Sequence, residues 1–91
     1  MNYDRLPGGE LIRQGLDDLA RGEVTVPALL VSIGAPRLRR GGVPVPESTL
    51  DEPEHRLYLK LAEDGSDSAH SRYNALIRRL VSFERATACA S

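Results

Sequence analysis

The sequence predicts an all-α fold: a small four-helix up-down bundle made of two helical hairpins. Apolar residues recur three and four positions apart in several segments, which is the spacing of one face of an α-helix. Leu, a strong helix former, is the main apolar residue, whereas the strand-favouring Val and Ile are comparatively few. Breaks rich in Gly or Pro separate the segments, and short connections favour antiparallel neighbours. The length of 91 residues fits one domain.

The first helix is expected from Glu10 to about Arg21, after an irregular lead-in over residues 1–9. Its apolar residues share one face, and its polar residues, Asp18 among them, are expected on the opposite, solvated face. Gly22 is expected to end the helix, because glycine adopts the left-handed cap conformation without strain.

The second helix is expected to begin after Thr25, a good N-cap residue, with Pro27 in its first turn. Gly34 and Pro36 should end or kink it, because proline lacks the N–H that a helix interior needs. A further short turn is expected from Pro36 to Arg40.

This second helix is apolar nearly all round, so it must be covered on more than one side. Each helix of a four-helix bundle turns one stripe inward, which leaves the second apolar face uncovered. A symmetric dimer is the commonest way to cover such a face, and the sequence therefore predicts a homodimer. The alternative is that Pro36 and the connector over residues 41–51 fold back over this face within one chain. The candidate interface consists of Val26, Leu29, Leu30, Val31 and Ile33.

Residues 41–51 are interpreted as an exposed Pro-rich connector between the hairpins. Pro44 and Pro46 push their predecessors into extended conformations, so this segment is not helical. The third helix is expected to begin near Asp51 or Glu52, with Pro53 in its first turn.

Residues 55–62 allow two interpretations. Leu57, Leu59 and Leu61 alternate with polar residues, as in a strand, but the segment contains no β-branched residue. The composition favours a helix, with Leu57, Tyr58 and Leu61 on one stripe.

The last helix should be capped by Ser66 or Asp67, run to about Ala88 and be the longest of the four. Its apolar stripe is the clearest in the chain. The residues expected to be buried there are Tyr73, Leu76, Ile77 and Leu80.

The net charge of −1 argues against a dedicated nucleic-acid binder, since such proteins are usually basic overall. Arginines nevertheless cluster near the end of the second helix, where they also complement the helix dipole. A nucleic-acid-associated accessory protein is therefore kept as an alternative function. The candidate basic patch consists of Arg37, Arg39, Arg40, Arg72, Arg78 and Arg79, with Arg85 as a further arginine of the last helix.

Two acid–histidine pairs have the i, i+3 spacing found in di-iron helical bundles: Glu52 with His55, and Asp67 with His70. Both acids lie at expected helix starts, where capping alone accounts for them. In an antiparallel helix pair the two histidines would be on the order of 12 Å apart. Two surface histidines are therefore the favoured interpretation. No metal or cofactor is expected, and a metal- or ligand-binding bundle is the second alternative.

The single cysteine, Cys89, cannot form an internal disulfide, and we expect an inert thiol in a fraying tail. No signal peptide or apolar run long enough to cross a bilayer is present, so a cytoplasmic location with no membrane partner is expected. No catalytic motif is found. The sequence therefore predicts a non-enzymatic interaction or structural domain that self-associates, as a dimer.

Overall fold

The computed structural model describes residues 5–90, except for the side chains of residues 64, 66, 89 and 90. Over this part the chain forms four α-helices and no strand, which confirms the all-α four-helix prediction. Residues 1–4 of the expected lead-in lie outside the described residues. The helices are α1 (Gly9–Ala20), α2 (Val26–Arg40), α3 (Pro53–Asp64) and α4 (Ser66–Ala90).

The turn between α1 and α2 follows the expected chemistry. Gly22, which follows the C-cap residue Arg21 of α1, has a positive φ of 73°, a conformation that glycine adopts without strain. The backbone N–H of Ala28 donates to the Thr25 hydroxyl at 3.2 Å, and Pro27 lies in the first turn of α2. The prediction of Thr25 as the N-cap is therefore confirmed.

Helix α2 does not end at Gly34 or Pro36, so of the two expectations for these residues, an end or a kink, the first is wrong. Pro36 lies inside the helix, and the residues up to Arg40 form its last turn rather than a separate one. Proline in a helix interior costs about 3 kcal/mol. Most residues from Ala28 to Ala35, before Pro36, are buried, and so is Leu38 after it; their packing outweighs that cost.

Residues 55–62 are helical, as the composition indicated. Leu57 and Leu61 of α3 are buried four positions apart, whereas Leu59 between them is exposed. The buried residues therefore recur with the spacing of a helix and not with that of a strand. The longest helix is α4, with 25 residues, as expected. Leu80 is buried on it, but Tyr73, Leu76 and Ile77 are only partly buried.

Helix α2 packs against each of the other three helices. At its contact with α1, a Cβ on Gly15 would collide with the carbonyl oxygen of Pro27 and lie 2.5 Å from Val31 Cγ2. At its contact with α4, a Cβ on Gly34 would lie 2.7 Å from Leu80 Cδ1. Glycine therefore allows both neighbours to approach α2 closely, and the apolar faces of α2 are covered from several sides.

The connector over residues 41–51 is less exposed than expected. Val43 and Val45 are buried while Pro44 between them is exposed, as in an extended backbone whose side chains alternate. The connector also bonds to α2, because the Leu50 N–H donates to the Ser32 hydroxyl at 3.2 Å. Both valines therefore belong to the core, and the connector covers part of α2.

Candidate functional site

The predicted dimer interface on α2 lies mostly inside the single chain. Leu29, Leu30 and Val31 are fully buried, and Val26 and Ile33 are partly buried. The expectation of an uncovered second face is wrong, because α2 contacts three helices rather than presenting one stripe to a common centre. Self-association itself stays a prediction, and it requires a different surface.

Exposed apolar side chains are found instead at Val24, Tyr58 and Leu59. Tyr58 has a partner within the chain, since its ring centroid lies 6.0 Å from that of Tyr73. Burial, followed by the charge of Glu54, raises the pKa of the Tyr73 phenol above its ordinary value. Leu59 is 51% exposed and, of the three, is the residue with the largest uncovered fraction.

Leu59 lies at the centre of a stripe on α3 that carries charges of both signs. We define the α3 stripe as Arg56, Leu59, Lys60 and Glu63, which follow the i, i+3, i+4, i+7 spacing of one helix face. These four residues line a shallow pocket of about 180 Å³ together with Val24 and Leu29. The sequence contained the signal for this stripe, because Leu59 falls off the core stripe of α3.

The arginines of the predicted basic patch do not share one surface, because the structure places them at several separate sites. Arg37 and Arg40 of α2 line a cleft of about 500 Å³ together with Arg85 of α4. Arg72 and Arg79 line a different pocket of about 290 Å³ beside apolar side chains. Elsewhere, Arg39 Nη2 donates to the carbonyl oxygen of Pro46 at 2.6 Å, and Arg78 is exposed on α4.

Glu84 is an acidic residue at this arginine cleft, and sequence analysis missed it. Its side chain is only 9% exposed, and Oε1 lies 3.8 Å from Arg37 Nη1. Its second oxygen, Oε2, is buried and has no hydrogen-bond partner among the described residues. Burial raises the pKa of the Glu84 carboxyl above its ordinary value, while Arg37 lowers it by a smaller amount. The sequence could have indicated the burial of Glu84, because this residue lies four positions after Leu80, on the apolar stripe of α4.

The predicted acid–histidine pairs are on the surface. His55 and His70 are both exposed, and Asn74 Nδ2 lies 3.2 Å from His70 Nε2. Among residues 5–90, apart from the undescribed side chains, no three His, Cys, Asp or Glu residues are grouped as metal ligands would be. The thiol of Cys89 lies outside the described side chains.

Comparison with protein-family models, with curated proteins and with solved structures found no match to this chain. In the described part of the chain, no helix has both the length and the apolar character needed to span a membrane.

Proposed function

We propose that this chain is a non-enzymatic interaction domain that self-associates through the α3 stripe. The observation that carries the proposal is the exposure of Leu59, 51% of whose surface is uncovered, between charged residues of both signs. Full burial of an exposed Leu side chain contributes about 1.5–3 kcal/mol, so a partner that covers the exposed half of Leu59 is stabilised by part of this amount. An exposed apolar residue alone is ordinary, and the pattern of charge around Leu59 is what supports a second copy of the chain as the partner.

The charges of the α3 stripe are complementary to themselves. Two antiparallel copies of α3, related by a two-fold axis at the midpoint of residues 59 and 60, bring Arg56 of one copy opposite Glu63 of the other. The same axis sets Leu59 against the alkyl part of Lys60. Symmetric dimers use one patch on both subunits, and this patch has the required self-complementarity. Val24, which adjoins the stripe, extends the apolar contact.

The expected interface is small. One helical stripe with a neighbouring turn buries less than the roughly 1,200–2,000 Å² of a typical stable interface. We therefore expect the dimer to form at micromolar protein concentrations. Its affinity should decrease at high salt, because salt screens the exposed charges.

Sedimentation equilibrium over a concentration series tests the proposal. Leu59→Glu should shift the protein towards monomer, since it places a carboxylate at the centre of the contact. Ser82→Glu adds the same charge at an exposed position of α4 and is the matched control, which should leave association unchanged. A wild-type chain that remains monomeric at high micromolar concentration would contradict the proposal.

A charge exchange makes the test sharper. Arg56→Glu and Glu63→Arg should each weaken the dimer, because each creates a like-charged pair across the two-fold axis. The double variant restores opposite charges at both ends and should recover association. Arg56 also donates to the carbonyl oxygen of Asp51 at 3.3 Å, so circular dichroism should accompany each variant to verify the helix. Failure of the double variant to recover association would exclude this antiparallel arrangement.

A further inference from the structure

We propose that the cleft between the end of α2 and α4, lined by Arg37, Arg40 and Arg85, binds a phosphate monoester. This cleft shares no residue with the α3 stripe, so the inference does not rest on self-association. The proposal assigns a class of ligand to this cleft, whose arginines the sequence indicated only as members of a wider basic patch.

The charge of the cleft favours a dianion. Three guanidinium groups and one carboxylate, that of Glu84, line it, which leaves two positive charges without a counter-charge among the lining residues. A phosphate monoester carries about −1.5 to −2 at pH 7. Arginine presents its N–H donors in a planar fork that fits phosphate oxygens, and such charge-assisted hydrogen bonds are stronger than neutral ones.

The arginine side chains of the cleft are available to a ligand. Those of Arg40 and Arg85 make no hydrogen bond or ion pair with the residues that the structure describes, and both are exposed. Arg37 is 3.8 Å from Glu84, which is longer than a hydrogen bond, and its side chain is largely exposed. Arg39 differs, since its guanidinium is bonded to the connector at Pro46.

The helix dipole accounts for only part of this cluster. Arginines near the C-terminus of α2 offset its partial negative charge. Arg85, however, belongs to α4 and lies outside the last turn of that helix. The packing of α4 on α2 brings Arg85 to the same cleft as Arg37 and Arg40.

The buried carboxylate of Glu84 lies beside the arginines and affects what the cleft can bind. Glu84 Oε2 has no hydrogen-bond partner within the described chain, which is costly for a buried charged group. A charged Glu84 also opposes an anion in the cleft. Glu84 thus limits the affinity for the phosphate, and its neutralisation should strengthen binding.

The cleft leaves room for an organic group on the phosphate. Its volume of about 500 Å³ falls in the range of small-molecule sites, which is more than a free phosphate ion fills. Val81 and Ala88 provide apolar lining beside the arginines. An organic group attached to the phosphate would contact these two residues.

Titration of the full chain with phenyl phosphate at pH 7 and low salt, followed by amide NMR shifts, tests the inference. We expect saturable shifts at residues around Gly41 and Val81, with weaker binding of inorganic phosphate and of benzoate. Arg40→Ala and Arg85→Ala should each weaken binding about tenfold, the loss expected for one charge-assisted hydrogen bond. Arg78→Ala removes the same charge from an exposed position of α4 outside the cleft, and should change the affinity much less.

Glu84→Gln should strengthen phosphate binding, whereas the two arginine variants should weaken it. Loss of the opposing charge should tighten binding severalfold, and a gain of affinity does not arise from misfolding. A phosphotyrosine peptide that binds more tightly than phenyl phosphate would identify a phosphorylated protein as the source of the ligand, and equal affinity would identify a free metabolite.

Three outcomes would overturn the inference. Equal binding of benzoate and phenyl phosphate would show that the phosphate is not recognised. Equal losses in Arg78→Ala and Arg85→Ala would show only a response to total charge. An oligonucleotide without a terminal phosphate that competes as well as phenyl phosphate would assign the cleft to nucleic-acid binding instead.

Discussion

Thr25 and Asp18 are joined by a 2.6 Å hydrogen bond, in which the Thr25 hydroxyl donates to Asp18 Oδ2. The same hydroxyl accepts the N–H of Ala28 and so caps α2. Asp18, only 3% exposed, also accepts bonds from Gln14 and Arg21. One threonine side chain thus connects a buried carboxylate near the end of α1 to the start of α2.

Thr25→Val should lower the free energy of unfolding by about 1–3 kcal/mol, because it removes the N-cap and one partner of a buried carboxylate. Urea denaturation followed by circular dichroism measures the change. Thr49→Val is the matched control, since the Thr49 side chain makes no hydrogen bond with the described residues. Equal stability losses in the two variants would show that the bond to Asp18 contributes nothing.

The same bond affects the response of the protein to acid. The Thr25 hydroxyl is the largest cause that lowers the pKa of Asp18 below its ordinary value of 3.8, with Gln14 and Arg21 adding to it against the effect of burial. A lowered pKa in the folded state stabilises the protein above pH 3.8, and this contribution disappears as the pH falls through the folded-state value. We therefore expect acid unfolding to depend less on this carboxyl in Thr25→Val than in the wild type.

Glu84 should have the opposite pH dependence. Its folded-state pKa is raised above the ordinary 4.5, so between these two values the folded protein holds a proton that the unfolded chain has released. Stability from this group is complete below pH 4.5 and is lost as the pH rises through the folded-state value. Glu84→Gln should therefore raise the melting temperature at pH 7 and have a smaller effect at pH 4.

Thermal melts of Glu84→Gln at both pH values measure this difference. Glu47→Gln removes the same charge from an exposed position of the connector and is the control. A variant that melts lower than the wild type at pH 7 would indicate that the ion pair with Arg37 outweighs the cost of burial.

The sequence predicted the helices and Thr25 as an N-cap, because both depend on residues close together in the chain. It placed Asp18 on a solvated face, since the partner seven residues away is brought near only by the turn between the helices. An end of α2 at Gly34 or Pro36, one of the two outcomes expected there, was wrong because the cost of Pro36 is local, whereas the burial of Leu38 that outweighs it depends on the whole fold.

The candidate sites were predicted less well than the helices, for a related physical reason. Sequence periodicity shows that α2 has two apolar faces, but it does not show that three helices cover them. It indicated an arginine cluster at Arg37 and Arg40. It grouped Arg85 with them only as one of several arginines of the last helix, because its proximity to Arg37 and Arg40 follows from the packing of α4 on α2.

Gly15→Ala should destabilise the protein by about 1–3 kcal/mol, although alanine is the better helix former. The added methyl would collide with the Pro27 carbonyl oxygen and with Val31, so α1 would have to move away from α2. Urea denaturation measures the loss. Ser71→Ala, at an exposed position within α4, tests the effect of alanine without such a contact. A Gly15→Ala variant as stable as the wild type would show that the two helices separate at little cost.

Val31→Glu distinguishes the buried α2 from the dimer interface that the sequence predicted. If Val31 were at a subunit contact, the variant would fold as a monomer. Val31 is instead 0% exposed and lies against Gly15, so a carboxylate there would be buried without a partner. We expect a loss of at least about 4 kcal/mol, a large part of the roughly 5–15 kcal/mol that stabilises a typical domain. Circular dichroism should therefore show unfolding at 37 °C.

Leu59→Glu is the control for Val31→Glu. It introduces the same carboxylate at an exposed position and should keep its helical spectrum. A folded, monomeric Val31→Glu chain would return the dimer interface to α2 and contradict the assignment of self-association to α3.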